Sequence, residues 1–153
     1  MVTIEPATTD HLDVMVTLQA ASFVSGQERH WNKQDFKEAL SMTGMTGLLL
    51  KDGDTWAAFY LFRQIVDEAE IILLGVDPAF QRLGYASQLL GCGLEIMQKA
   101  GTVKVCLEVR EDNYVAMHFY ETYGFEKVGL RRAYYHLSNG QRKDANVYSL
   151  NIR

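Results

Sequence analysis

The run Glu68–Val76, EAEIILLGV, becomes almost wholly apolar toward its end, and Asp77-Pro78 stops it. A strand this apolar has no face to offer water, so it predicts a place in the middle of a sheet with layers on both sides. From about Leu83 to Ala100 the apolar set Ala86, Leu89, Leu90, Leu94 and Met97 keeps helical period, and Gly101 fits the residue just past a helix end. Strand, short turn, helix: the segment commits the chain to mixed α/β architecture.

The remaining segments supply the layers. "VTIE" is a short alternating strand, and "TTDHLDVMVTLQAASF" predicts a helix with a polar start at Thr9 or Asp10 and Leu12, Met15, Val16 and Phe23 at helical spacing. A second helix begins at Asn32, where "NKQDFKEAL" pairs an Asx cap with Asp35 three residues on. Between them "VSGQERHW" reads as a charged loop carrying Trp31. "TGLLLKDGDTWAAFYLFR" reads as two strands about an Asp-Gly turn. "VKVCLEVR" alternates as a strand, Asp112 or Asn113 caps "YVAMHFYETY", and Gly124 ends that helix. "FEKVGL" and "DANVYSLNI" close the chain as strands, joined by an aromatic and basic loop, Arg131–Lys143. Residues 1–153 therefore read as one α/β (α+β) domain in the order β-α-α-β-β-β-α-β-α-β-β.

Bulk properties narrow the partners. A chain of 153 residues can bury an ordinary core without metals or disulfides. A net charge of −4 argues against nucleic acid, whose phosphates want a basic face. The N-terminus has no basic stretch ahead of an apolar one, so no signal peptide is expected, and no apolar run approaches the ~20 residues of a membrane span. Cys92 and Cys106 sit in apolar contexts without CxxC spacing and read as reduced thiols of a cytoplasmic protein. His11, His30, His118 and His136 are scattered without ligand spacing, so no metal site is expected.

After the apolar strand comes Gln81-Arg82-Leu83-Gly84-Tyr85-Ala86-Ser87. The first N–H groups of a helix lack intrahelical partners, and the helix dipole favours negative charge there. Gly84 lets backbone approach a ligand, Ala86 keeps the next turn narrow, and Arg82 adds a permanent donor. The segment reads as an anion site, or as ordinary turn chemistry at a helix start, and it lacks the spacing of a Walker loop or a GxGxxG.

This stretch resembles motif A of the GCN5-related N-acetyltransferase (GNAT) superfamily, Gln/Arg-x-x-Gly-x-Gly/Ala, with Ala86 in place of the commoner second glycine. Longer pieces, "DEAEIILLGVDPAFQRLGYASQLL", "LEVREDNYVAMHFYETYGF", "RRAYYHLSNGQRKDA" and "HWNKQDF", are similar to the bacterial ribosomal-protein-alanine N-acetyltransferases (RimI type). The resemblance implies acetyl-CoA as co-substrate, with its pyrophosphate on the amides of Gln81 through Ser87. Its pantetheine arm would lie between splayed strands, Ile71–Val76 and Val103–Arg110. Leu74, Gly75, Val76, Asn113, Ala116, Phe119 and Tyr120 complete the implied cofactor-binding set. "LLGV" departs from that family's more polar or β-branched stretch, and Gly75 is expected to bend the strand.

Acetyl transfer to an amine needs a base for the amine, a donor to the oxyanion and a proton for the leaving thiolate. By resemblance Glu108 is the general base, Tyr120 the general acid, and the Val76 N–H the oxyanion donor. From residue patterns alone, Glu108 could be a solvated strand residue, Tyr120 a core aromatic and Asn113 simply a helix cap. Tyr134 and Tyr135, on the wall formed by the Arg131–Lys143 loop, and Trp31 are the expected substrate-binding residues, with Glu28, Asp35, Glu68 and Glu111 available to a basic peptide.

An α-amine, pKa ~7.7–8.0, is about one-quarter neutral at pH ~7.4, whereas a lysine amine near ~10.4 is neutral about once in a thousand. That gap, ~3.5 kcal/mol of deprotonation, suits a single carboxylate base to a protein N-terminus. A small-molecule amine is the alternative acceptor. A CoA-binding module without turnover and an acylated Cys106 are the other readings. A monomer or homodimer is expected.

Overall fold

The computed structural model describes residues 1–22, 30–137 and 139–152, so Phe23 and Glu28 lie outside the described residues. β1 (Val2–Pro6) leads through a 3-10 turn (Thr9–His11) into α1 (Leu12–Ser22) and α2 (Lys33–Ser41). Three strands follow, β2 (Met45–Asp52), β3 (Thr55–Ile65) and β4 (Glu68–Val76). Then come α3 (Tyr85–Lys99), β5 (Lys104–Arg110), α4 (Tyr114–Thr122), β6 (Glu126–His136) and β7 (Arg142–Asn151). The seven strands form one sheet in the order β1-β2-β3-β4-β5-β7-β6, which makes the apolar β4 its central strand.

Continuous apolar runs in β2 and β3 arise because both faces of the sheet are covered. Leu48, Leu50, Tyr60 and Phe62 face one way, against Leu89, Leu90 and Met97 of α3. Leu49, Phe59 and Leu61 face the other, against Met15 and Leu18 of α1 and Phe36 of α2. Gly93 lets α3 seat closely: a Cβ there would lie 2.4 Å from the Tyr60 ring.

Local chemistry sets the helix starts. Asn32 Oδ1 accepts from the Asp35 N–H at 2.9 Å, and Asp35 Oδ2 accepts from the Asn32 N–H at 2.8 Å, a reciprocal capping box. Replacing Asn32 by Ala should cost about 1 kcal/mol of stability in denaturant unfolding, with α2 frayed at its start. The first cap is Thr8, one residue before the expected Thr9 or Asp10: its hydroxyl accepts from the Asp10 N–H at 3.2 Å. Between the two candidates for α4, Asn113 is the cap, its Oδ1 accepting from the Ala116 N–H at 3.2 Å.

Two irregularities shape the middle of the molecule. The β3–β4 register passes from Leu61↔Leu73 to Phe62↔Ile71, leaving Ile72 as an extra residue on β4. The distortion expected at Gly75 is therefore a bulge three residues earlier, while Gly75 stays in register with Phe59. Beside it, the parallel ladder to β5 holds only three pairs, Glu68↔Lys104, Ala69↔Val105 and Glu70↔Cys106, after which the strands part.

The second irregularity corrects the expected Arg131–Lys143 loop. Residues up to His136 belong to β6 and those from Arg142 to β7, so this segment is a hairpin. Its strand character was hidden because the ladder skips from Arg131↔Ala145 to Tyr135↔Lys143, with only Asp144 opposite Arg132–Tyr134. Ala133 takes a positive φ of 52° at this buckle, and its N–H donates to Asp144 Oδ1 at 2.7 Å.

Candidate active site

Where β4 and β5 part, a cavity of about 480 Å3 opens. Eight of the residues expected at the site line it: Trp31, Leu74, Glu108, Asn113, Ala116, Tyr120, Tyr134 and Tyr135. Leu74 belongs to β4 and Glu108 to β5; Asn113 caps α4, which carries Ala116 and Tyr120, and the two tyrosines belong to the buckled part of β6.

Alternation on β5 separates two roles. Val105, Leu107 and Val109 are buried in the core with α3, so Cys106, Glu108 and Arg110 project to the opposite face. Glu108 Oε1 accepts from Arg131 Nε at 2.8 Å; the glutamate side chain is 15% exposed and the arginine 59%. The Arg131 guanidinium also stands over the Tyr134 ring, 5.4 Å from its centroid. Burial, then the charge and hydrogen bond of Glu108, push the Tyr134 phenol up. Arg110 is held at 2.5 Å to Asp112 Oδ1.

Tyr120 enters the cavity from α4. It is packed edge-on against Phe119 at 5.2 Å and Phe125 at 5.5 Å, and burial pushes its phenol far above the ordinary tyrosine value. Core packing and cavity exposure thus coexist in one side chain. Phe119 does not line the cavity; it supports Tyr120 from behind and packs on Tyr123 at 5.6 Å. The Tyr123 hydroxyl donates to the Ser87 carbonyl at 3.0 Å, which ties α4 to the first turn of α3.

Along β4, the Asp77 N–H donates to the Ala57 carbonyl on β3 at 2.9 Å. Strand alternation then points the Gly75 N–H toward β3 as well, and the Leu74 and Val76 N–H groups toward the gap. At the start of α3, Gly84 has φ 82° and no side chain caps the helix. The amides of Tyr85, Ala86 and Ser87 therefore keep the orphan donors of a helix start. A Cβ on Gly84 would meet nothing within 4 Å, so glycine is required there by conformation, and the space before it is open. Gln81, Arg82 and Leu83 are exposed beside it, Arg82 also at positive φ, 66°. The Tyr85 side chain turns away into the core, where its hydroxyl donates to Asp52, leaving its backbone as the part available to a ligand. None of Gly75, Val76 or Gln81–Ser87 lines the cavity itself; they follow the lining residue Leu74 along the chain to the start of α3.

Several lining residues escaped the sequence reading. Gln19 is only 1% exposed and clamps the Trp31 backbone, donating from Nε2 to its carbonyl at 3.1 Å and accepting from its N–H at 3.2 Å. Its apparent role as a polar residue on α1 carried no signal of this. Glu70 and His136 also line the cavity, and Arg131 reaches it through its pair with Glu108. Burial and the charge of Glu108 raise the Glu70 carboxyl, against the lowering effects of Arg131 and Arg63.

The family model described as Acetyltransferase (GNAT) family matches residues 12–125. The [ribosomal protein bS18]-alanine N-acetyltransferase of Escherichia coli (strain K12) is 33% identical over 122 residues, 80% of this chain and 81% of that one. The enzyme of the same name from Haemophilus ducreyi is 37% identical over 97 residues, 63% of this chain and 67% of that one. Among solved structures, the ribosomal-protein-S18-alanine N-acetyltransferase from Escherichia coli superposes with a TM-score of 0.89 at 29% identity, covering 99% of this chain and 94% of that one. No helix among the described residues is long and apolar enough to cross a membrane.

Proposed function

Since the chain belongs to the acetyltransferase (GNAT) family, an N-acetyltransferase family, we propose that it moves the acetyl group of acetyl-CoA to the α-amine of a protein N-terminus, in the cytosol and in one ternary complex. The observation that carries this reading is the parting of β4 and β5, which brings Glu108 and Tyr120 to one cavity from different elements. The bS18-alanine relatives support the choice of acceptor.

In this reading the uncapped start of α3, with Arg82 beside it, receives the pyrophosphate. The pantetheine arm follows the free edge of β4, where the Leu74 and Val76 N–H groups are available, and passes Asn113 and Ala116. Glu108 takes a proton from the acceptor amine, directly or through a water. The freed nitrogen attacks the thioester carbonyl carbon, and the oxyanion that forms accepts from a backbone N–H on the free edge of β4. The attacking nitrogen gives up its second proton to solvent as the intermediate collapses and the C–S bond breaks, and the departing sulfur receives a hydrogen bond and then a proton from Tyr120, which solvent reprotonates. Trp31, Tyr134 and Tyr135 hold the peptide beyond the amine.

Intact-mass spectrometry tests the assignment. Acetyl-CoA is offered with an alanine-initiated peptide, its Nα-blocked lysine-containing counterpart and a mixture of small amines. Acetylation of the free-N-terminus peptide alone is the expected result. Modification of small amines alone would leave the enzyme class standing and remove the peptide, while no transfer to any of them would favour a CoA-binding role.

A further inference from the structure

We propose that Glu70 is the acceptor-binding carboxylate of this cavity, the group that receives the acceptor's ammonium form beside Glu108 and makes the enzyme select cationic amines. The inference rests on the acetyl-transfer reading of the site and adds to it a residue that determines specificity.

Placement comes first. Glu70 is the last β4 residue paired with β5, opposite Cys106. Paired residues in a parallel ladder share a face, so Glu70 lies on the face of Cys106 and Glu108, at the point where the strands begin to part. Glu70, Glu108 and Tyr134 all line the one cavity.

Charge matching comes second. Glu108 is paired with Arg131 at 2.8 Å and Arg110 with Asp112 at 2.5 Å. Among the described residues Glu70 has no cation within ion-pair distance, and Arg63, its cross-strand neighbour on β3, donates its Nε to the Thr43 carbonyl at 3.1 Å. Arg63 and Arg131 act on Glu70 only from a distance, so no cation holds its carboxylate directly, and a cationic ligand group entering the cavity would be the first to do so. A resident cation already marks the preference: Arg131 lies on Glu108 and over the Tyr134 ring at once. The Glu70 side chain is exposed; partial desolvation and the charge of Glu108 raise its proton affinity, and Arg131 and Arg63 lower it without reversing the shift.

The occupant follows from acid–base chemistry. About three-quarters of an α-amine at pH ~7.4 is ammonium, so this is the form that reaches the site most often. A carboxylate adjacent to the base holds that ammonium where its proton has a short path to Glu108.

The test is a binding measurement with unreactive CoA present, which keeps transfer from obscuring it. An alanine-initiated peptide and its des-amino analogue, with propionyl in place of alanyl, are titrated into wild type and Glu70→Gln. Loss of a charge-assisted contact should weaken the amine peptide by about tenfold or more in E70Q and leave the des-amino peptide unchanged. Glu70→Asp should recover part of the loss, and kcat in E70Q should stay within about twofold of wild type while KM rises. Equal weakening of both peptides, or of neither, overturns the assignment and leaves the peptide reading intact. A fall in kcat with KM unchanged also overturns it. A wild type that binds neither peptide removes the peptide reading instead; the same comparison with pentylamine and pentanol then decides Glu70, a loss confined to the amine supporting it.

Discussion

Glu108→Gln should lower kcat/KM for acetyl transfer by about 10²- to 10⁴-fold at neutral pH, the range of a positioned general base. Glutamine preserves the shape of the side chain and can still accept from Arg131, whose guanidinium is largely exposed, so thermal unfolding should be nearly unchanged. The pH dependence separates deprotonation from other roles. Between pH ~7.4 and ~9, the neutral fraction of an α-amine rises from about one-quarter to over nine-tenths. The E108Q deficit should therefore shrink by roughly fourfold across that interval. A deficit constant with pH and expressed wholly in KM would make Glu108 a binding residue.

Tyr120→Phe should lower kcat by about 10- to 100-fold with little change in acetyl-CoA affinity. A thiol of pKa ~8.5 is a fair leaving group on its own, so loss of the phenol costs less than loss of the base. Burial raises Tyr120 well above the ordinary tyrosine value, so the phenol keeps its proton across the working pH range. In the proposed mechanism it would meet the sulfur as a hydrogen-bond donor first, with the proton following as the C–S bond breaks. An alkaline fall in rate below pH ~9 would consequently come from some other group, and the Y120F profile should keep the wild-type shape. Measurement of kcat for both proteins from pH 6 to 9 checks this; a Y120F rate equal to wild type would leave Tyr120 a packing residue.

What could be read from the sequence depended on how local each signal is. The Asn32–Asp35 box and the Asp52-Gly53 turn are complete within a few residues, and the chain folds there as its local chemistry directs. The alternation of Val105, Leu107 and Val109 likewise put Glu108 on the other face of β5 before any neighbour was known. The bulge at Ile72 has no such signature, because it is defined only by the partner residues Leu61 and Phe62 on β3. The β6 buckle is hidden in the same way: Arg131–Tyr135 looks like a polar loop until Asp144 on β7 is seen gathering the Ala133 N–H. Glu70 resembled the ordinary polar beginning of a strand. Its position became informative only when β5 stopped pairing beside it.

The seven-stranded sheet consists of two ribbons joined by a short ladder. β1 through β4 form one, β5, β7 and β6 the other, and the ladder that fastens them is the three pairs ending at Glu70↔Cys106. Such a fastening is a pivot. At ~3.3 Å per residue, Val76 lies up to ~20 Å along the lever from Glu70, and Glu108 about 7 Å from Cys106. A relative rotation of about 5° would shift the Val76 end by nearly ~2 Å and Glu108 by only ~0.6 Å. The carboxylates sit near the fulcrum, where the spacing is nearly constant, and the end of β4 that leads into α3 sits at the far tip. A cofactor lying along the gap would then act as the clasp that brings the tip to its working position.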